Sequence, residues 1–152
     1  MSGLRAALQA VMPAMFRHEG VWEGSYRHIG VDGALIDEYH VWTQCELPDT
    51  GPYAYVQHNR MRWADGRVAE FHFGGALVGH RLMWDTDRFT GHGWQTEDDL
   101  IMLRLDRRDV PDSHYVEIID MARDGLSRMR TWHWYQDGQP WKRTLCDERR
   151  VR

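Results

Sequence analysis

The chain has 152 residues, 42% of them apolar and 28% charged, with a net charge of −4. That length fits a single domain over residues 1–152 with a sizeable core and leaves little room for a second. Lys and Arg are scattered rather than clustered, which argues against nucleic acid or an anionic membrane surface as a partner.

Two cysteines, Cys45 and Cys146, are too few for a disulfide framework; they can form one bridge, but a reduced cytoplasmic protein is expected. The N-terminus has no apolar segment of signal-peptide length, and no run approaches a membrane span. The aromatic content is high, at eight Trp, six Tyr and four Phe. A core accounts for part of it; the rest points to an aromatic-lined pocket.

In chain order, the first pattern is helical. Leu4, Ala7, Leu8, Val11 and Met15 recur at three- and four-residue steps, and Pro13 limits the helix. Residues 1–18 read as a short lid or plug. From Val21 onward the chain reads as strands. Asp-Gly pairs at Asp32-Gly33, Asp65-Gly66, Asp124-Gly125 and Asp137-Gly138 suit tight hairpins. Strands are predicted at 21–29, 35–45, 53–63, 67–73, 81–85, 89–94, 100–105, 115–121, 127–135 and 142–149. No long helix separates them, so parallel crossovers are excluded. The fold class that follows is all-β: a closed up-and-down antiparallel barrel of about ten strands, preferred to a two-sheet sandwich because closure removes exposed edges.

Alternation assigns faces. Trp22, Gly24, Tyr26 and His28 share the inner face of the first strand. Tyr53, Tyr55, Gln57, Asn59, Met61 and Trp63 share another, where Gln57 and Asn59 stand out because buried amides need partners. Phe71, Phe73, Leu82 and Trp84 face inward, as do Ile101, Leu103 and Leu105. Glu117 shares a face with Tyr115 and Ile119; if internal, it is a buried carboxylate with a raised pKa or a charged partner. Strand 127–135 leaves its phase open. With Arg128 and Arg130 outside, His133 is inside.

Gly20-Val21-Trp22 after a short helix resembles the calycin signature. Together with the run Phe16–His28, the segment Trp63-Ala64-Asp65-Gly66-Arg67 and the tail Arg143–Arg150, it resembles a little-characterised family of bacterial calycin-like (lipocalin-like) barrels spanning essentially this length. The resemblance implies a barrel whose Trp22 closes one end under a basic residue from the last strand, Arg149 or Arg150. It implies no activity. Trp22-Glu23-Gly24 is also similar to haem-binding nitrobindin barrels, but these use a late histidine, and none follows His133 here.

Nine histidines occur, yet no H-E-x-x-H, no paired Cys at ligand spacing and no G-x-S-x-G is found. Neither a cofactor nor a metal is expected. The first functional expectation is a cofactor-independent lyase, isomerase or cyclase acting on a small hydrophobic or aromatic molecule in the lumen. His28, Tyr26 and Glu117 are the candidate catalytic groups. Tyr55, Gln57, Asn59, Trp63, Phe71, Trp84 and His133 are the candidate substrate contacts. The alternative is a non-catalytic carrier with the same lumen. A scytalone-dehydratase-like cone would need several N-terminal helices, and one short helix is evident. A homodimer through an exposed aromatic face is a further expectation.

Overall fold

The computed structural model describes residues 3–152, in which ten antiparallel strands close into one up-and-down barrel. The strands are β1 (Gly20–Gly30), β2 (Leu35–Glu46), β3 (Tyr55–Arg62), β4 (Val68–Val78), β5 (Arg81–Asp85), β6 (Phe89–Gln95), β7 (Ile101–Arg107), β8 (Ser113–Met121), β9 (Ser127–Gln136) and β10 (Gln139–Arg150). Each pairs with its sequence neighbour, and β1 pairs with β10 to complete the ring, with Trp22 opposite Arg150 and His28 opposite Thr144.

Ahead of the barrel lies α1 (Gly3–Val11), followed by a 3-10 turn at Pro13–His18. Pro13 does not simply end the helix. It begins the next turn, where a missing N–H costs little. Leu8 and Met12 are fully buried in one apolar cluster with Trp22, Leu47 and Ala54. This N-terminal segment packs against Trp22 at one end of the barrel, and Met15 reaches the lumen wall.

The Asp-Gly turns are of two kinds. At 137–138 both residues have positive φ, 52° and 77°, the pattern of a two-residue hairpin. At the other three only the glycine does, with φ of 84°, 92° and 74°. There the Asp carboxylate accepts the N–H two residues on, from Ala34, Arg67 and Leu126.

Two face assignments need correction. Tyr53 lies before β3 and is 44% exposed. Its ring covers Gly74 on the outer surface, where a Cβ would come within 2.4 Å of it. For the same reason β4 runs on through Gly74-Gly75 to Val78 instead of stopping at Phe73: these glycines make room for aromatic rings. The second correction is β9. Arg128, Arg130 and Trp132 are buried, and His133 is exposed on the outer face. Arginines on a strand read as a solvated face. Here Glu117 on β8 and Glu148 on β10 flank them and neutralise their charge inside.

The plugged end is tied together around Trp22. Its Nε1 donates to His18 O at 3.0 Å. The Arg150 guanidinium sits 4.3 Å from its ring centroid and Arg128 lies at 4.6 Å. Of the two expected basic residues, Arg150 makes the contact; Arg149 is exposed. Cys45 and Cys146 are buried free thiols. Among the described residues no helix is long and apolar enough to cross a membrane.

Candidate functional site

The lumen encloses a cavity of about 450 Å³, within the range of small-molecule sites. Its walls differ. β4 to β7 supply an apolar side: Phe71, Phe73, Trp84, Phe89, Leu103 and Leu105. Trp84 is 3% exposed and lies against Gly75 and Gly93, where a Cβ would come within 3.2 and 2.8 Å of its ring. The opposite side, from β1 to β3 and β8 to β10, carries the polar minority.

Three polar groups are built there. The first is a relay along β2 and β3. The Tyr55 hydroxyl donates to Gln57 Oε1 at 2.6 Å and lies 3.2 Å from Cys45 Sγ; Gln57 Nε2 donates to Asn59 Oδ1 at 2.9 Å. This order engages one acceptor site of the Asn59 oxygen, and Asn59, on the lumen lining, has no described residue that accepts from its Nδ2.

The second is a buried ionic cluster. Arg130 Nε donates to Glu117 Oε2 at 2.8 Å, and its Nη1 donates to the Tyr26 hydroxyl at 3.1 Å. Arg128 Nε donates to Glu148 Oε1 at 2.8 Å, and Arg130 Nη1 lies 3.6 Å from the same oxygen. Two arginines and two glutamates sum to zero charge. Burial raises the Glu117 carboxyl above its usual range against the pull of Arg130. Burial also pushes Glu148 up, but Arg128 and Arg130 together hold it below its usual range. Glu148 Oε2 and the Thr43 hydroxyl are buried without a bond of normal geometry. Burial keeps the Tyr26 hydroxyl protonated well above the ordinary phenol range despite Arg130.

The third is centred on His28. Its Nδ1 lies 2.6 Å from Thr144 Oγ1, which also accepts from Trp134 Nε1 at 2.7 Å. Its Nε2 lies 2.8 Å from the Tyr39 hydroxyl. Both ring nitrogens are therefore engaged, and His28 lines the lumen beside Tyr39. Burial, reinforced by Lys142, lowers the His28 imidazole to about 4, so the ring is neutral near pH 7. Burial likewise keeps Tyr39 a protonated phenol.

The mouth lies at the end opposite the plug. Trp63, tilted against Tyr39 at 4.3 Å, and Trp134, packed on Tyr115 at 4.5 Å, line it. Trp63 Nε1 donates to Asp37 Oδ2 at 3.0 Å. Arg88, Arg107 and Lys142 also line this opening.

The structure thus brings His28, Tyr26, Glu117, Tyr55, Gln57 and Asn59 to one lumen, with Trp63, Phe71 and Trp84. It leaves out His133. Glu117 is held by Arg130 rather than presented free. Sequence reasoning missed Tyr39, Arg130, Thr144 and the three mouth cations. Tyr39 was legible: it alternates with Asp37, Val41 and Cys45, a face opposite to His40 and Trp42. The inward arginines became legible only once Glu117 and Glu148 were known to face them. Among the described residues no group of three or more His, Cys, Asp or Glu side chains is gathered to hold a metal ion.

No protein-family model and no curated protein matches the sequence. Solved structures do. An S-type phycobiliprotein lyase, CPES, from Guillardia theta matches with a TM-score of 0.73 at 14% identity, covering 99% of each chain. A protein of unknown function from the DUF3598 family of Nostoc punctiforme PCC 73102 matches with a TM-score of 0.63 at 17% identity. That match covers 90% of this chain, which spans about half (49%) of the Nostoc protein. At these identities the likeness establishes the calycin-like barrel fold.

Proposed function

We propose that the barrel binds a small, flat, largely apolar molecule, entered through the Trp63–Trp134 mouth and held between the apolar wall and the Asn59 side. The observation that carries this reading is the asymmetry of the 450 Å³ lumen: an aromatic wall faces a side on which Asn59 Nδ2 has no protein acceptor. Apolar area supplies affinity, and an isolated donor fixes orientation. The fold-level likeness to a phycobiliprotein lyase, a protein named for handling a pigment-bearing partner, is compatible with such a role. The test is a fluorescence titration with N-phenyl-1-naphthylamine. Saturable binding at one site per chain is expected, lost when Leu103→Trp fills the lumen. Absent saturation, or binding undiminished in Leu103→Trp, overturns the reading.

A second reading, a cofactor-free lyase or isomerase, is favoured by the Tyr39–His28 pair. A protonated phenol faces the lumen, and a neutral imidazole stands beside it within hydrogen-bond distance. Tyr39 would donate a hydrogen bond to a ligand carbonyl as charge develops on its oxygen, His28 would orient that hydroxyl, and solvent water would take the α-proton and return it. Aromatic ketones incubated with the protein in D₂O should exchange their α-protons, and Tyr39→Phe should abolish the exchange. No exchange with wild type removes this reading and leaves the binding one standing.

A further inference from the structure

The mouth carries a charge pattern that binding of a neutral apolar molecule does not need. Arg88 before β6, Arg107 at the end of β7 and Lys142 in β10 come from separate hairpins and line one opening. All three are half-buried. The chain as a whole is acidic, at −4, so the local excess is not a by-product of composition.

The carboxylates nearby do not balance this charge. Asp109 takes Arg107 in a two-pronged pair at 2.6 and 2.8 Å and approaches Arg88 only at 3.9 Å. The Arg88 guanidinium rests 3.6 Å from the Phe71 ring centroid and donates no hydrogen bond to a described residue. Lys142 Nζ sits 4.5 and 4.4 Å from the ring centroids of Trp134 and Trp141 and forms no ion pair among the described residues. Asp37, the carboxylate on the lumen lining at the mouth, accepts from Trp63 Nε1 and keeps its charge, so with Asp109 two carboxylates face three cations. Burial lowers both Lys142 and Arg88 from their ordinary values, with Arg107 adding to it and Asp37 and Asp109 respectively opposing it only in part.

We infer that the mouth recognises an organic anion, so that the ligand is amphipathic: a flat apolar body in the lumen and a carboxylate- or sulfonate-like head between Lys142 and Arg88. The free N–H donors of Arg88 and the ammonium of Lys142 supply charge-assisted hydrogen bonds, and the faces of Phe71 and Trp134 beneath them hold the ring next to the head. This rests on the lumen-binding reading and narrows it to one class of ligand.

A matched probe pair separates the two. N-phenyl-1-naphthylamine and 1-anilinonaphthalene-8-sulfonate share a ring skeleton and differ in the sulfonate. At low salt the sulfonate should bind wild type about tenfold more tightly, and 0.5 M NaCl should erase most of that preference. Arg88→Gln with Lys142→Met should remove the preference while the neutral probe still saturates at one site per chain, which also reports that the variant is folded. Equal affinities in wild type, or a preference that survives the double substitution, overturn the anion site and leave the lumen reading intact. Failure of both probes to bind wild type overturns the lumen reading and the anion site together.

Discussion

The two ends of the barrel use the same residue types for opposite purposes. At the plugged end, Arg128, Arg150, His18 and Glu148 surround Trp22, and the cations are answered. Arg128 reaches Glu148 and His18 Nδ1, and Arg150 donates to Glu19 O and Gly125 O. At the mouth, Arg88 and Lys142 surround Trp134 and Phe71 with donors to spare. A charged or aromatic residue is thus no signal of function in itself. Unused hydrogen-bonding capacity beside an open cavity is.

The sharpest way to break this contrast is at the plugged end. Glu148→Ala strands the buried Arg128 and leaves Arg130 with Glu117 alone, and should cost about 3–5 kcal/mol of stability in urea unfolding, whereas replacing Arg128 and Glu148 together with Met and Leu should recover most of it. A cost below about 1 kcal/mol for the single change would show that the cluster is not the clasp described here.

Acid tests the buried histidines, His18 at the Trp22 end and His28 toward the mouth. Burial, with Arg128 next, lowers His18 to about 3, and burial lowers His28 to about 4. Both are bound neutral in the fold and protonate near pH 6.5 when unfolded. Their contribution is therefore complete above pH 6.5 and is lost as pH falls through that value toward 4 and then 3, by on the order of 2 kcal/mol each. Urea midpoints at pH 7.5 and 4.5 should show this fall, and His18→Gln should reduce it. A wild-type midpoint that does not change between these pH values contradicts the neutral assignment.

At the mouth the expected change is in affinity. Trp134→Ala removes a lining ring and should weaken N-phenyl-1-naphthylamine binding about tenfold, with a smaller effect on the urea midpoint. An unchanged affinity would place the ligand elsewhere. The smallest effect is expected for His133→Ala, on the outer face: neither probe binding nor stability should change measurably.

Much of the barrel is legible in the sequence because hairpin chemistry and alternation are local. Asp-Gly turns and runs such as Arg81–Asp85 need no knowledge of distant chain. What alternation cannot supply is the sign of a face whose polar residues are paired across strands. β9 is the case in point: Arg128 and Arg130 read outward until Glu117 and Glu148, which flank them from β8 and β10, are set opposite. The lumen acids and bases were found as a set, but their roles were not, because roles depend on bonds such as Arg130 to Glu117 and Tyr39 to His28. The mouth cations escaped for a different reason: each lies at a strand end or turn, where the period-two pattern fades and three hairpins must first be brought side by side.

The ring has a single seam. Every neighbouring pair of strands but one is joined by a hairpin, whereas Trp22 and Arg150 meet across nearly the whole chain. Local hairpins close short loops at little entropic cost, and the β1–β10 union must close the longest. The order of assembly follows: a curling ribbon of hairpins first, the seam last. Seam contacts such as Arg150 over Trp22, expected to form only once that closure is complete, would act mainly on how slowly the finished barrel opens. The residues that mark one end of the barrel in the sequence are thus also those expected to set its kinetic lifetime.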